Sequence, residues 1–146
     1  ILRTTLITGF PSETKEQFNE LAEFVQEQRF DRLGCFAYSQ EEGTRAAEFE
    51  DQVEESVRSH RADIIMEQQM FVSAENNEKL MDKELVAVVE GFDKFGECYF
   101  GRTEMDAPDI DGKVFFTSDN PLEIGDYVNI RITDTLDYDL IGEVIA

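Results

Sequence analysis

The sequence predicts an incomplete α/β piece followed by a small all-β barrel. Residues 1–39 show the order strand, helix, strand, and from Glu84 onward apolar and polar residues alternate at every second position. Two strands joined by one helix form a parallel unit, and such a unit needs further strands to make a stable sheet. We therefore expect an α/β domain over residues 1–76, which ends in a linker helix, and a β-barrel domain over residues 77–146.

The α/β piece begins with a predicted strand over residues 1–10. This strand ends at Gly9, because the proline at Pro11 takes the chain out of regular structure. Residues 30–39, with the sequence FDRLGCFAYS, predict the next strand. One helix connects the two strands, so they are expected to run parallel as a slice of a larger domain. The uncovered edge and apolar surface of such a slice are expected to cause self-association.

Two helical regions are predicted from capping and spacing signals. Thr14 and Gln17 have the spacing of a capping box, and apolar residues then recur at helical intervals: Phe18, Leu21, Ala22 and Val25. Residues 40–51 are a polar loop, and residues 52–79 predict one long polar helix or two shorter ones. The apolar stripe of this region consists of Val53, Val57, Ile64 and Phe71, broadened by Ile65, Met66 and Met70.

The C-terminal part carries five predicted strands, which are expected to be antiparallel: Glu84–Asp93, Glu97–Thr103, Lys113–Ser118, Tyr127–Thr133 and Tyr138–Ile145. The clearest alternation of apolar and polar residues lies in the fourth strand: Val128, Asn129, Ile130, Arg131, Ile132 and Thr133. Five short strands of this kind predict a closed or partly open barrel of the oligonucleotide-binding type.

The chain is strongly acidic, and this charge bears on its partners. Thirty-three Asp and Glu residues against thirteen Lys and Arg give a net charge of −20. Residues 77–146 alone contain 17 acidic and 6 basic side chains, a net charge of −11. Because nucleic-acid backbones are bound through Lys and Arg, this surface is expected to repel transfer RNA and to attract a basic protein. Alternatively, the charge only keeps the protein soluble.

The sequence shows no membrane segment and no secretory signal. No apolar run approaches the roughly 18 to 20 residues that a bilayer-spanning helix requires, and the first residues lack the basic and apolar regions of a signal peptide. A cytoplasmic location is therefore expected, without membrane contact. The first residue is Ile1 rather than methionine, so we interpret the chain as part of a longer protein.

No metal site is predicted. Cys35 and Cys98 lie 63 positions apart, each in an apolar, strand-like stretch, and are expected to be buried thiols. His60 is the only histidine and lies in a polar helical stretch, which excludes histidine-based metal sites and catalytic triads. Asp106 and Asp109 lack the alternate spacing of a calcium-binding loop.

Two motifs lie at the ends of the predicted parallel strands. They are TTLITGFPSET, Thr4–Thr14, and FDRLGCFAYSQEEGTRAA, Phe30–Ala47. Together they resemble the closing strands of the radical S-adenosylmethionine barrel in the methylthiotransferase family, whose motifs are GFPGET and F-x-Y-S followed by EGT and a small residue. Ser12 replaces a glycine of the family, and Arg45 stands where proline is frequent. The matching residues are Gly9, Phe10, Pro11, Glu13, Thr14, Phe36, Tyr38, Ser39, Glu42, Gly43, Thr44 and Ala46.

A third segment, GRTEMDAPDIDG at Gly101–Gly112, extends the resemblance to the barrel. Residues Asn77 to Ile145 resemble the family's TRAM module, which usually binds RNA. The acidic loop and the ending Thr133–Val144 resemble instead the branch that modifies a ribosomal protein. The resemblance therefore implies the C-terminal part of an enzyme that methylthiolates an aspartate β-carbon of a basic small-subunit ribosomal protein. Two alternatives stay open: a transfer-RNA methylthiotransferase of the same family, and a non-catalytic acidic barrel that binds a protein.

The resemblance also implies cofactors and site residues. The family's enzymes use S-adenosylmethionine and two [4Fe–4S] clusters held by cysteine runs, and this chain contains neither run. We therefore expect the chain by itself to bind no cofactor and to contain no catalytic residue. In the whole enzyme the adenosyl site would include Ile7, Gly9, Phe36 and Tyr38, of which all but the glycine read equally well as core residues. The substrate would contact Arg102, Asp106, Asp109 and Asp111, which alternatively belong to a solvated turn.

Overall fold

The strands and long helices that the sequence predicts are all formed. A computed structural model describes residues 1–145, and Ala146, the last residue of the predicted barrel domain, lies outside the described residues. The elements in chain order are β1 (Arg3–Thr8), α1 (Lys15–Gln28), β2 (Arg32–Ala37), a short 3-10 helix (Arg45–Glu48), α2 (Glu55–Glu78), β3 (Glu84–Asp93), β4 (Cys98–Thr103), β5 (Val114–Thr117), β6 (Tyr127–Thr135) and β7 (Leu140–Val144). The predicted fold class, an α/β piece followed by a five-stranded barrel, is confirmed.

The chain divides into two compact units within α2. The first unit is Ile1–Val72, and the second begins at Ser73. Each unit therefore contains part of this helix. The domain assignment made from the sequence, residues 1–76 and 77–146, stays a prediction.

The first unit is built on a two-stranded parallel sheet. β1 and β2 pair in register over their full length. One face of the sheet packs against α1 and α2, and the buried residues of this core are Phe18, Val25, Leu33 and Ile65. On the other face, the side chains of Ile7 and Phe36 are 56% and 63% exposed. Self-association through this open apolar face stays a prediction.

Helix α1 begins where the capping signal predicts. The Gln17 N–H donates to the Thr14 hydroxyl at 3.2 Å, and the Thr14 N–H donates to the Gln17 side-chain oxygen at 3.0 Å. Phe18 and Val25 are its buried residues, as their spacing predicts. Arg29 caps the other end with a left-handed φ of 50°.

Helix α2 is a single helix, but its buried face differs from the predicted stripe. That stripe included Phe71, which is 60% exposed. In the part of α2 that belongs to the first unit, the buried positions have helical spacing: Ala62, Ile65, Gln69 and Val72. Gln69 can occupy a core position because its amide nitrogen donates to the Phe30 carbonyl oxygen at 2.8 Å. A stripe traced through apolar residues alone is therefore wrong here, since one core position is polar.

The second unit is a closed barrel with the strand order β3-β4-β5-β7-β6. Four of the neighbouring pairs are antiparallel, while β5 and β7 run parallel. The expectation that all five strands are antiparallel is therefore wrong. The reason is geometric, because each antiparallel neighbour reverses direction and five reversals cannot return to the starting direction. A closed barrel of five strands needs a parallel pair.

Apolar side chains fill the barrel as the alternation predicts. The buried core residues are Ala87, Val89, Val114, Phe116, Ile130, Ile132 and Leu140. In β6 the exposed Arg131 separates two of these core residues. Gly101 lets β4 approach β3 closely, because a Cβ atom here would overlap the carbonyl oxygen of Val88.

The turn between β1 and α1 holds a non-glycine residue in a left-handed conformation. The Glu13 N–H donates to the Phe10 carbonyl oxygen at 2.9 Å, and Ser12 has a φ of 75°. With Pro11 in the second position, these are features of a type II turn, which favours glycine third. The glycine of the family motif at this position therefore has a conformational reason.

Replacing Ser12 with glycine should stabilise the first unit. A left-handed conformation costs a non-glycine residue about 1 kcal/mol, and the larger chain entropy of glycine offsets part of the gain, so the free energy of unfolding should rise by about 0.5 kcal/mol. Urea denaturation measures this change. Ser12→Ala is the control, because alanine keeps the Cβ atom; equal stabilisation by both substitutions would contradict the explanation.

Candidate functional site

Two of the predicted adenosyl-binding residues stand side by side on the open face of the sheet. Ile7 of β1 is the register partner of Phe36 of β2, so their side chains point to the same side. Both are more than half exposed, so neither is a core residue of the chain itself. Parallel sheets are normally covered on both faces, whereas this apolar pair is left uncovered by the residues that the structure describes.

Gly9 follows β1 with a left-handed φ of 73°. A Cβ atom at this position would overlap the side chain of Arg58 in α2. The Gly9 N–H donates to the Glu13 carboxylate at 2.9 Å. The resemblance implied a glycine in the adenosyl site here, and the structure gives two reasons of its own for a glycine, the left-handed backbone conformation and the space that Arg58 fills. A cofactor contact by Gly9 stays a prediction, and it would have to use the backbone.

Tyr38 lies just beyond β2 among aromatic and cationic side chains. The Phe10 ring meets its ring edge-on with 5.4 Å between centroids, and the Arg58 guanidinium lies 5.6 Å from the Tyr38 centroid. Arg58 also donates to the Tyr38 carbonyl oxygen at 2.9 Å. The Tyr38 hydroxyl is buried and has no hydrogen-bond partner within residues 1–145. It is a polar group that a ligand or an added segment could satisfy.

An ion pair between Glu13 and Arg61 anchors the motif turn to α2. The Arg61 guanidinium donates to the Glu13 carboxylate at 2.6 Å and to the Glu13 carbonyl oxygen at 3.1 Å. The two side chains are only 12% and 13% exposed, and the guanidinium also lies 5.5 Å from the centroid of the Phe18 ring. Because each charge has little contact with water, loss of one partner would leave the other uncompensated. The glutamate of the first motif thus has a structural role.

Neither cysteine has the surroundings of a reactive thiol. Cys35 and Cys98 are partly exposed rather than buried as predicted, since one lies on an edge strand and the other at a strand end. Burial is the main cause that raises the pKa of each thiol, and the Glu13 and Asp93 carboxylates add to this for Cys35 and Cys98 respectively. Both thiols are therefore protonated near neutral pH.

Within the residues that the structure describes, no group of three or more His, Cys, Asp or Glu side chains could hold a metal ion. Over residues 1–145 no helix is both long enough and apolar enough to cross a membrane.

The acidic loop of the barrel uses two of its aspartates to hold its own backbone. Asp106 accepts hydrogen bonds from the N–H and the hydroxyl of Thr103, at 3.2 and 2.8 Å. Asp111 accepts one from the Ala107 N–H at 2.6 Å. Asp109 lies between them, exposed, with a left-handed φ of 61°. The loop is therefore an ordered turn in which Asp109 is the most available carboxylate of the three.

Arg102 lies on the outer face of β4. Its Nε donates to the Glu90 carboxylate at 2.8 Å, and the two side chains are 34% and 31% exposed. This ion pair neutralises the only cation among the four predicted substrate-binding residues. Solvent screening keeps the contribution of such a pair to stability small.

Arg102 also lines a cleft of about 610 Å³ on the outside of the barrel. The cleft is formed by β3, β4, the start of β6 and the segment that follows β4, and its lining residues are Glu84, Leu85, Val86, Val88, Arg102, Thr103, Glu104, Met105 and Tyr127. Of these, the sequence pointed only to Arg102. The alternation marks Val86, Val88 and Tyr127 as apolar residues at outward positions of β3 and β6, but it does not show that they meet residues 103–105.

Curated relatives match this chain over 99% of its length. Residues 83–145 match the family model of the TRAM domain. The chain is 52% identical over 145 residues to the ribosomal protein uS12 methylthiotransferase RimO of Geotalea uraniireducens, and 51% identical over 146 residues to that of Geobacter sulfurreducens. It is 47% identical over 145 residues to that of Acetivibrio thermocellus. The chain belongs to this methylthiotransferase family.

The resemblance found in the motifs is thereby confirmed, including the TRAM module in the barrel. Each of these three matches covers 99% of the chain but 32% of the relative. The chain thus spans about a third of the length of the methylthiotransferases that it matches. Those relatives are named for their action on ribosomal protein uS12.

Gly9→Ala should destabilise the first unit in the absence of any cofactor. The added methyl group would overlap the Arg58 side chain and strain the left-handed backbone, so we expect a loss of about 1 to 3 kcal/mol in the free energy of unfolding. Gly34→Ala in β2 is the matched control, because its Cβ would lie 3.8 Å from the nearest atom, on Phe36. Urea denaturation followed by circular dichroism measures both. A Gly9→Ala chain as stable as the Gly34→Ala chain would contradict this account.

Proposed function

We propose that this chain is the C-terminal part of a radical S-adenosylmethionine enzyme that methylthiolates an aspartate β-carbon of ribosomal protein uS12. The observation that carries the proposal is 52% and 51% identity, along 99% of the chain, to relatives named as uS12 methylthiotransferases. In this proposal residues 1–76 complete the α/β barrel that holds the cofactor. Residues 77–146 form the TRAM domain, which recognises the basic substrate protein in the cytoplasm.

The open face of the sheet suits an adenosyl group. Ile7 and Phe36 offer apolar surface on adjacent strands, and the Tyr38 hydroxyl lacks a partner within the described residues. Apolar walls with a few placed polar groups are the usual lining of a cofactor site. These residues and the Gly9 backbone would form one wall of the S-adenosylmethionine site. The bound cofactor supplies the radical and methyl chemistry, while this wall orients its adenosyl part and excludes water.

The two [4Fe–4S] clusters require ligands that this chain does not offer. Each cluster is held by a run of cysteine thiolates, whereas this chain has two single cysteines, Cys35 and Cys98, which belong to different units. We therefore assign both clusters to the remainder of the enzyme. It follows that the chain alone should have no methylthiotransferase activity.

The barrel would recognise a basic protein rather than transfer RNA. Residues 77–146 carry a net charge of −11, and Asp109 is exposed on the acidic loop. The positive charge of Arg102 is compensated by Glu90. Phosphates would meet mainly carboxylates on this surface, whereas lysine and arginine side chains would be attracted to it.

Binding at matched salt tests the substrate assignment. The 146-residue chain should bind purified uS12 more tightly than transfer RNA, and its affinity for uS12 should fall as ionic strength rises. Asp109→Asn should slow association with uS12 about twofold at low salt, because it removes an exposed charge. Asp119→Asn, which removes an exposed charge from another loop, should have a smaller effect. Tighter binding to transfer RNA would favour the transfer-RNA methylthiotransferase instead.

Cofactor affinity tests the role of the open face. In the full-length enzyme, Phe36→Ser should weaken S-adenosylmethionine binding roughly tenfold, through loss of apolar contact with the adenosyl group. Phe71→Ser is the matched control, since Phe71 is 60% exposed on α2 and Phe36 is 63% exposed on the sheet. Equilibrium dialysis measures the affinities. Unchanged affinity in the Phe36→Ser enzyme would remove this face from the proposed site.

A further inference from the structure

We propose that the cleft on the outer face of the barrel binds an extended, lysine- or arginine-rich segment of the substrate protein. The proposal rests on the proposed function, since it takes the partner to be a basic ribosomal protein, and it adds where that partner docks. The cleft lies on β3, β4 and the start of β6, with residues 103–105 as one wall and a volume of about 610 Å³. It is a different surface from the exposed tip of the acidic loop.

The floor of the cleft is apolar and crosses three strands. Val88 of β3 is the register partner of Tyr127 in β6 on one side and of Arg102 in β4 on the other. Val86 lies two residues earlier and is 53% exposed, and Tyr127 is 78% exposed. Val86 and Val88 point outward because the Ala87 between them is buried in the barrel, and Tyr127 points to the same side as its register partner Val88. Tyrosine is enriched where protein partners bind, so this row is a suitable anchor.

Carboxylates form the charged rim of this floor. Arg102 is paired with Glu90 at 2.8 Å, and Glu84 has Arg131 at 3.4 Å. Glu104 forms no ion pair within the described residues, so its charge is uncompensated at the edge of the cleft. A lysine or arginine side chain could place its charge beside this carboxylate and lay its methylene stem along the apolar floor. The exposed tyrosine ring adds a cation–π site.

Hydrogen bonds within residues 103–106 hold the wall that carries Glu104. Asp106 accepts two hydrogen bonds from Thr103, and the Met105 N–H donates to the Thr103 hydroxyl at 3.2 Å. These bonds close a tight turn around Glu104. A wall that is ordered before binding loses less conformational entropy when a partner docks.

Size and charge together favour a peptide segment as the occupant. The cleft falls within the range of about 300 to 1,000 Å³ that is usual for ligand sites, which is room for a few side chains. Faces that bind nucleic acid supply cations for the phosphates. Here the ionised residues that line the cleft are two glutamates and one arginine with a carboxylate partner. The complementary ligand is therefore a cationic, extended stretch of protein.

The test measures binding of the full 146-residue chain to purified uS12 by calorimetry at low and high salt. Tyr127→Ser should weaken binding roughly tenfold at both salt concentrations, because it removes an apolar anchor. Glu104→Gln should weaken binding about threefold at low salt and less at high salt. The matched controls are Ile124→Ser, at a residue that is 77% exposed outside the cleft, and Glu123→Gln, at an exposed acid outside it. Both controls should change the affinity less than about twofold.

The outcomes separate this proposal from the proposed function. If uS12 binds but the two cleft variants match their controls, the docking site is wrong and the substrate assignment stands. If transfer RNA binds more tightly than uS12 and the cleft variants weaken that binding, the cleft is a nucleic-acid site and both proposals fail. If the unaltered chain binds neither, both proposals fail as well. Circular dichroism checks that each variant is folded. If Tyr127→Ser does not fold, the comparison of Glu104→Gln with Glu123→Gln tests the cleft.

Discussion

Contacts from one arginine of α2 hold together the carboxyl end of the two-stranded sheet. The Arg58 side chain fills the space beside Gly9, and its guanidinium donates to the Tyr38 carbonyl oxygen at 2.9 Å. The Arg58 carbonyl oxygen in turn accepts a hydrogen bond from the Thr8 hydroxyl at 3.1 Å. A sheet of two parallel strands has few hydrogen bonds of its own. The positions of Gly9 and Tyr38, and with them the shape of the proposed adenosyl wall, therefore depend on this helix.

The same helix leaves the sheet with one covered face and one open face. α1 and α2 supply the core on one side of the sheet. On the other side lies Phe36, which is the most exposed large apolar residue of β1 and β2. Parallel sheets in complete domains are buried on both faces. The chain spans 32% of the length of its methylthiotransferase relatives, and in the proposed enzyme the remaining part would supply the missing strands and the cofactor's other contacts.

Local signals predicted the elements of this fold because each signal acts within a few residues. The capping box at Thr14 and the alternation in β6 involve only neighbouring positions, and both are present in the structure. Contacts between distant residues could not be obtained in this way. Gln69 reaches the Phe30 carbonyl oxygen across 39 positions, so no apolar pattern marks it as a core residue. The parallel pairing of β5 and β7 follows from closure of the barrel, which is a property of all five strands together.

The candidate sites also differ in whether neighbouring residues or distant segments form them. Ile7 and Phe36 could be named from the sequence because they belong to linear motifs, and the parallel register then places them side by side. The cleft could not be named, because Val88, Glu104 and Tyr127 come from three separate segments that only the folded barrel brings together.

Net charge and local geometry determine different aspects of partner recognition on the barrel. A charge of −11 favours approach of a basic protein from a distance, but it does not select a docking position. Asp106, Asp109 and Asp111 are close in sequence and suggested a single acidic site, yet the first and last accept hydrogen bonds from the loop itself. Asp106 contributes indirectly, because it orders the turn that carries Glu104. In the proposed complex, the docking position would be set where the uncompensated Glu104 carboxylate lies beside exposed apolar surface, since the charge would attract a cationic side chain and the surface would bind its methylene stem.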